Sequence, residues 1–103
     1  MLTPLEAQRI LDAEARGEVS WSWLSYVDPE TGHGCPALHA AGWTPGEDWR
    51  RIEDAVHERL LALAALAREL YGNWHDGLPR LYAPESRAAT VTALRRIVEG
   101  NAT

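Results

Sequence analysis

The chain has 103 residues, 15 acidic and 10 basic side chains and a formal net charge of -5. That length is read as one domain spanning 1–103, large enough to bury about two thirds of the surface its unfolded chain would expose, so a core needs no staple. A single cysteine, Cys35, excludes an internal disulfide. No apolar run follows the start, where Glu6, Arg9 and Asp12 intervene, and the expectation is a protein of a reducing cytoplasm.

Every basic residue is arginine and phenylalanine is absent, which reads as the coding bias of a GC-rich genome. Residues 1–49 carry eight acids and two arginines, whereas residues 50–103 carry seven acids and eight arginines. The acidic half should repel nucleic acid.

In chain order, Thr3-Pro4-Leu5-Glu6 has the residues of a capping box. Leu5, Ile10, Leu11 and Ala15 supply an apolar side before Gly17, predicting a short amphipathic helix whose polar outer face includes Glu6, Arg9 and Asp12. Val19-Ser20-Trp21-Ser22-Trp23 alternates as a half-buried strand does, although Val19, Trp23, Tyr26 and Val27 also stand at helical spacing. Asp28-Pro29-Glu30-Thr31-Gly32 has turn chemistry and favours the strand reading, with His33–Leu38 returning as an edge strand around Pro36. Trp21 and Trp23 are then expected to lie on the central helix, because a two-stranded ribbon is not stable alone.

The most legible stretch runs from Thr44 to Gly72. Thr44-Pro45-Gly46-Glu47 repeats the capping pattern, and Trp49, Ile52, Val56, Leu60, Leu63, Ala67 and Leu70 follow at steps of three or four. Residues 60–67 contain no polar side chain. The run is too short to cross a bilayer, which needs about 20 apolar residues, so it must be covered. The covering is either the terminal helices or a second copy, a homodimer through residues 60–67, with Ala62 and Ala65 small enough for close approach. Asn73–Gly77 reads as a loop, 78–83 as an extended connection, and Pro84-Glu85-Ser86 opens a last helix whose apolar side is Val91, Leu94, Ile97 and Val98. The expected fold is α+β and predominantly helical: N-terminal helix, short β-hairpin, long central helix, C-terminal helix.

Several residues invite chemistry. His33, Cys35 and His39 combine thiolate and imidazole, a donor set that zinc favours, with His57, His75, Asp28 or water as a fourth ligand. Set against this is a plain turn with solvated histidines and a buried thiol, since paired Cys-x2-Cys knuckles are missing. Cys35 as a nucleophile would have a base in His33 or His39 but no evident oxyanion site. Arg59 falls on the apolar stripe of the central helix and must either snorkel to the edge or find a carboxylate that fixes how the acidic N-terminal part docks. Trp74 is either a core anchor or a partner contact. Arg80, Arg87, Arg95 and Arg96 make the C-terminal part basic, but no glycine-rich phosphate loop accompanies them.

With no constellation of acid, base and nucleophile and no cofactor cradle, the sequence points to a non-enzymatic interaction or regulatory protein, an inhibitor or adaptor. Its partner would be a protein, met through Trp74, Arg59, Leu61 and Ala65, and it would need no cofactor. The alternative is a zinc-binding protein using His33, Cys35 and His39.

Overall fold

The computed structural model describes residues 2–21, 26–71 and 84–100, with side chains described throughout except at 67–71 and 84–86. Among these residues the fold has four helices: α1 (Pro4–Ala15), α2 (Pro36–Ala40), α3 (Glu53–Tyr71) and α4 (Pro84–Gly100), with one 3₁₀ turn (Trp49–Ile52) leading into α3.

α1 begins as its capping residues dictate. The Thr3 hydroxyl accepts from the Glu6 N–H at 3.2 Å, and Glu6 Oε1 accepts from the Thr3 N–H at 2.9 Å. Its buried face differs from the expected one. Glu6, Ala7, Ile10 and Ala13 point inward, while Leu5 is 62% exposed. Ile10 is buried as expected and Leu11 packs partly buried against the core, but Ala15 is exposed and the rest of the buried face is made by alanines and a carboxylate.

The expected β-hairpin does not form: there is no β-strand among the described residues. Residues 33–35 lie between two short extended pieces and touch each through one isolated bridge, Val19 to Gly34 and Val27 to Gly34. Ser20 N–H donates to Gly34 O at 2.9 Å, and Cys35 N–H donates to Tyr26 O at 2.8 Å. The Asp28–Gly32 turn does close, with Gly32 N–H on Asp28 O at 2.8 Å and Gly32 at φ 75°. Beyond it the chain turns helical instead of returning as a strand. Pro36 takes the first helical position of α2, where no N–H is required, in place of the edge-strand position expected for it. All five residues of α2 are buried, so this shortest helix sits in the core, packed against both α1 and α3. Trp23 lies outside the described residues. Trp21 is placed by α1 and α4: its indole N–H donates to Glu14 Oε2 at 2.6 Å, and the Arg87 guanidinium lies 6.0 Å from the ring centre.

The long helix also starts later than expected. Glu47 reaches back to the Thr44 N–H at 3.0 Å, as half of a capping box, but Gly46 turns the backbone to φ 89°. That conformation cannot be part of a right-handed helix. The working cap is Asp48, whose carboxylate accepts from the Arg50 N–H at 3.1 Å, and one 3₁₀ turn intervenes before Glu53.

The core joins Ala7 and Ile10 of α1, Leu38 and its neighbours in α2, Val56 and Leu63 of α3, and Leu94 of α4. Trp43 seals one side of it, donating to Glu47 O at 2.8 Å. Leu63 and Ala64 are buried by the chain itself, which covers one side of the 60–67 run. Leu61 remains 53% exposed, and Ala65 is exposed beside it.

Candidate functional site

The histidine and cysteine segment is built around α2. Cys35 is the residue before its first turn and is 2% exposed. Burial pushes the Cys35 thiol up, outweighing the hydrogen bonds from the N–H groups of Leu38 and Ala37 that favour the thiolate. The group at neutral pH is therefore a buried thiol, poorly suited to nucleophilic attack.

His39 is also buried. Its Nε2 lies 3.0 Å from Glu18 O, and its ring meets Trp43 edge to face with centroids 5.8 Å apart. Since a carbonyl only accepts, Nε2 carries the proton. Burial lowers the His39 pKa and the Arg16 charge adds to this, against the Glu18 carbonyl and carboxylate, which raise it. His33 and His39 both line a cleft of about 350 Å³ with Glu18, Thr31, Trp43 and Pro45, but Cys35 is not among its walls. Among the described residues no group of three His, Cys, Asp or Glu side chains is arranged to hold a metal ion. The remaining candidate ligand, His75, lies outside the described residues.

Arg59 leaves the apolar stripe of α3 and reaches α1. Its Nε donates to Glu6 Oε2 at 2.5 Å, while Nη1 donates to Ala55 O at 3.3 Å and to Glu58 Oε2 at 3.0 Å. The Glu6 side chain is 9% exposed and that of Arg59 28%. Burial pushes the Glu6 carboxyl up, but the Thr3 N–H and the Arg59 guanidinium outweigh it and hold the group below its usual range. Both Glu6 oxygens are engaged, so the pair acts as a clamp between α1 and α3. The carboxylate that Arg59 meets was not legible as buried, because Glu6 looks like an ordinary capping-box residue. Its distance of three from Thr3, which fixes its orientation, is the signal that could have singled it out.

A second polar tie joins α1 to α4. Glu14 accepts from Arg87 Nε at 2.9 Å as well as from Trp21, and its side chain is 17% exposed. The other candidates sit at the surface. Leu61 and Ala65 lie on the outward side of α3, in line with Asp54 and Glu58. Arg95 and Arg96 are exposed on α4, and Trp74 and Arg80 lie outside the described residues. No helix among the described residues is long and apolar enough to cross a membrane.

The arrangement offers two internal polar clamps, one buried thiol, one neutral histidine, and outward helix faces of contrasting character. It does not bring a nucleophile, a base and an electrophilic site together among the described residues. No protein-family model matches the chain, and neither a curated protein nor a solved structure is significantly similar to it.

Proposed function

We propose that the chain works by surface recognition, as a non-enzymatic interaction or regulatory protein of the inhibitor or adaptor kind. The observation that carries this reading is the outward row of α3. Leu61, a large apolar side chain 53% exposed, stands beside Ala65, one turn from the exposed acid Glu58 and two turns from Asp54. An apolar centre with a charged rim is the anatomy of a docking face, where a desolvated anchor supplies affinity and the charges supply orientation. The buried titratable groups support the same reading, since Glu6 and His39 are both committed to bonds that hold the fold.

The test is photo-crosslinking in cells, with a benzophenone side chain placed at position 61, at position 65, and at the exposed turn position 30. A discrete adduct from 61 and 65 that is missing from 30 is the expected result, and its mass above the 11.4 kDa of the chain identifies the partner's size. Equal, diffuse labelling from all three positions, or none from any, would overturn the reading.

A further inference from the structure

Two outward faces of the molecule are complementary. On α3, Asp54, Glu58, Leu61 and Ala65 follow at steps of four, three and four and form one exposed row, acidic in its first half and apolar in its second. On α4 the order is reversed. Ala88 and Val91 come first and Arg95 follows, and they line a groove of about 350 Å³ between α1 and α4, flanked by Arg87 and Glu14.

No α3 residue lines that groove, so the two faces are separate surfaces of one molecule. Antiparallel apposition of one on the other sets Leu61 and Ala65 against Val91 and Ala88 and brings Glu58 to Arg95, with Asp54 a turn farther along. The spacing fits: Leu61 to Glu58 is about 4.5 Å of helix rise and Val91 to Arg95 about 6 Å, a mismatch within the reach of an arginine. Arg95 has no ion pair among the described residues. Glu58 is 75% exposed, and its ion pair is with its neighbour Arg59, whose shorter bond is to Glu6.

We propose that the occupant of the α3 row is the α1–α4 groove of a second copy of this chain, in a head-to-tail contact. This rests on the reading of the α3 row as a recognition face and names its partner. At a net charge of -5 two copies repel each other, and the groove is a locally basic, partly apolar place where the acidic row of another copy can land. Because the two faces differ, the contact is heterologous and can repeat from copy to copy. Two helix faces of this size cover less than about 1,200 Å², so the association is reversible and is screened by salt.

The experiment is sedimentation velocity on purified protein in a concentration series reaching about 1 mM, at low and high salt. It uses wild type, Glu58→Arg, Arg95→Glu and an equimolar mixture of the two variants, with circular dichroism confirming that both are folded. Wild type is expected to self-associate at low salt and to weaken about tenfold or more at high salt, and each variant alone should weaken by a similar factor. The mixture should associate again, since the arginine introduced at position 58 of one variant then faces the glutamate introduced at position 95 of the other. An Arg95→Glu protein that associates like wild type would place the contact between α3 helices and overturn the proposal. So would a mixture no better than its components. A wild type that stays monomeric while position 61 crosslinks to a different protein overturns the self-contact alone, whereas a monomer with no crosslink removes the recognition face as well.

Discussion

Removing Arg59 by Arg59→Met leaves the Glu6 carboxylate, whose side chain is 9% exposed, held by the Thr3 N–H without its guanidinium partner. Breaking a fully buried pair from one side costs roughly 3–5 kcal/mol. The clamp is only partly buried, with Arg59 28% exposed and a cleft of about 180 Å³ beside it, lined by Leu2, Thr3 and Ala62, through which water can reach Glu6. A loss of about 2 kcal/mol is expected at neutral pH once that solvent access discounts the buried-pair cost. Glu6→Gln keeps an acceptor for the Thr3 N–H and leaves Arg59 its bonds to Ala55 and Glu58, so about 1 kcal/mol is expected. The double variant should recover about 1 kcal/mol of the summed losses as coupling. Urea unfolding monitored by tryptophan fluorescence measures all four corners of the cycle. Because the folded Glu6 pKa lies below its ordinary 4.5, the coupling is fully present well above that value and is lost as pH falls through the folded value. A coupling below about 0.3 kcal/mol at neutral pH, or one that does not change on acidification, would refute the clamp.

Three further outcomes can be checked directly. Gly34→Ala puts a Cβ 2.7 Å from Trp43 Cζ3 and 3.2 Å from Leu38 Cδ1; the overpacking should cost about 1–3 kcal/mol, and a melting temperature equal to wild type would contradict the close packing of 33–35 on Trp43. Cys35 should react with a thiol reagent about 100-fold more slowly in the native protein than in urea, because only the opened chain exposes it; native labelling at the rate of free cysteine is the opposing result. His39, buried near Arg16 and Glu18, has a folded pKa below the ordinary 6.5, so the unfolded chain binds its proton first. Stability should therefore begin to fall as pH drops below 6.5, in a step that His39→Gln removes; a variant retaining the same step would assign it elsewhere.

Much of the helical architecture is readable from the sequence because its signals are local. Thr3 and Glu6 cap the start of α1 as their spacing predicts, and Pro84 opens α4. The turn at Asp28–Gly32 is equally local and forms, yet it does not dictate the structure of the segments it connects. Alternation of Val19, Trp21 and Trp23 cannot distinguish a strand from an extended piece that pairs at one residue, because the difference depends on what packs alongside. Residues 36–40 bury all five side chains at once, and burial on every side is better met by a short helix at the centre of the core than by an edge strand. The late start of the long helix turns on Gly46, which the sequence lets pass as a helical residue but which the structure uses for its left-handed conformation.

The candidate site was legible in part. The sequence shows that Arg59 needs a carboxylate or an exit, but only the docking of both α1 and α3 on α2 reveals that the carboxylate is Glu6. The spacing of His33, Cys35 and His39 is compatible with a shared ligand set, whereas the backbone turns Cys35 into the core and His39 toward a carbonyl. Leu61 and Ala65 stand out in the sequence through the apolar run 60–67, but their alignment with Glu58 in one exposed row is legible only once the fold shows what is left uncovered.

The most direct measurement is a dilution series of backbone amide spectra on the uniformly labelled protein. Concentration-dependent shifts are expected to cluster at Glu58, Leu61 and Ala65 on α3 together with Ala88, Val91 and Arg95 on α4, and to fade in high salt. Spectra that do not change with concentration, or shifts gathered around His33 and Trp43 instead, would contradict the head-to-tail contact.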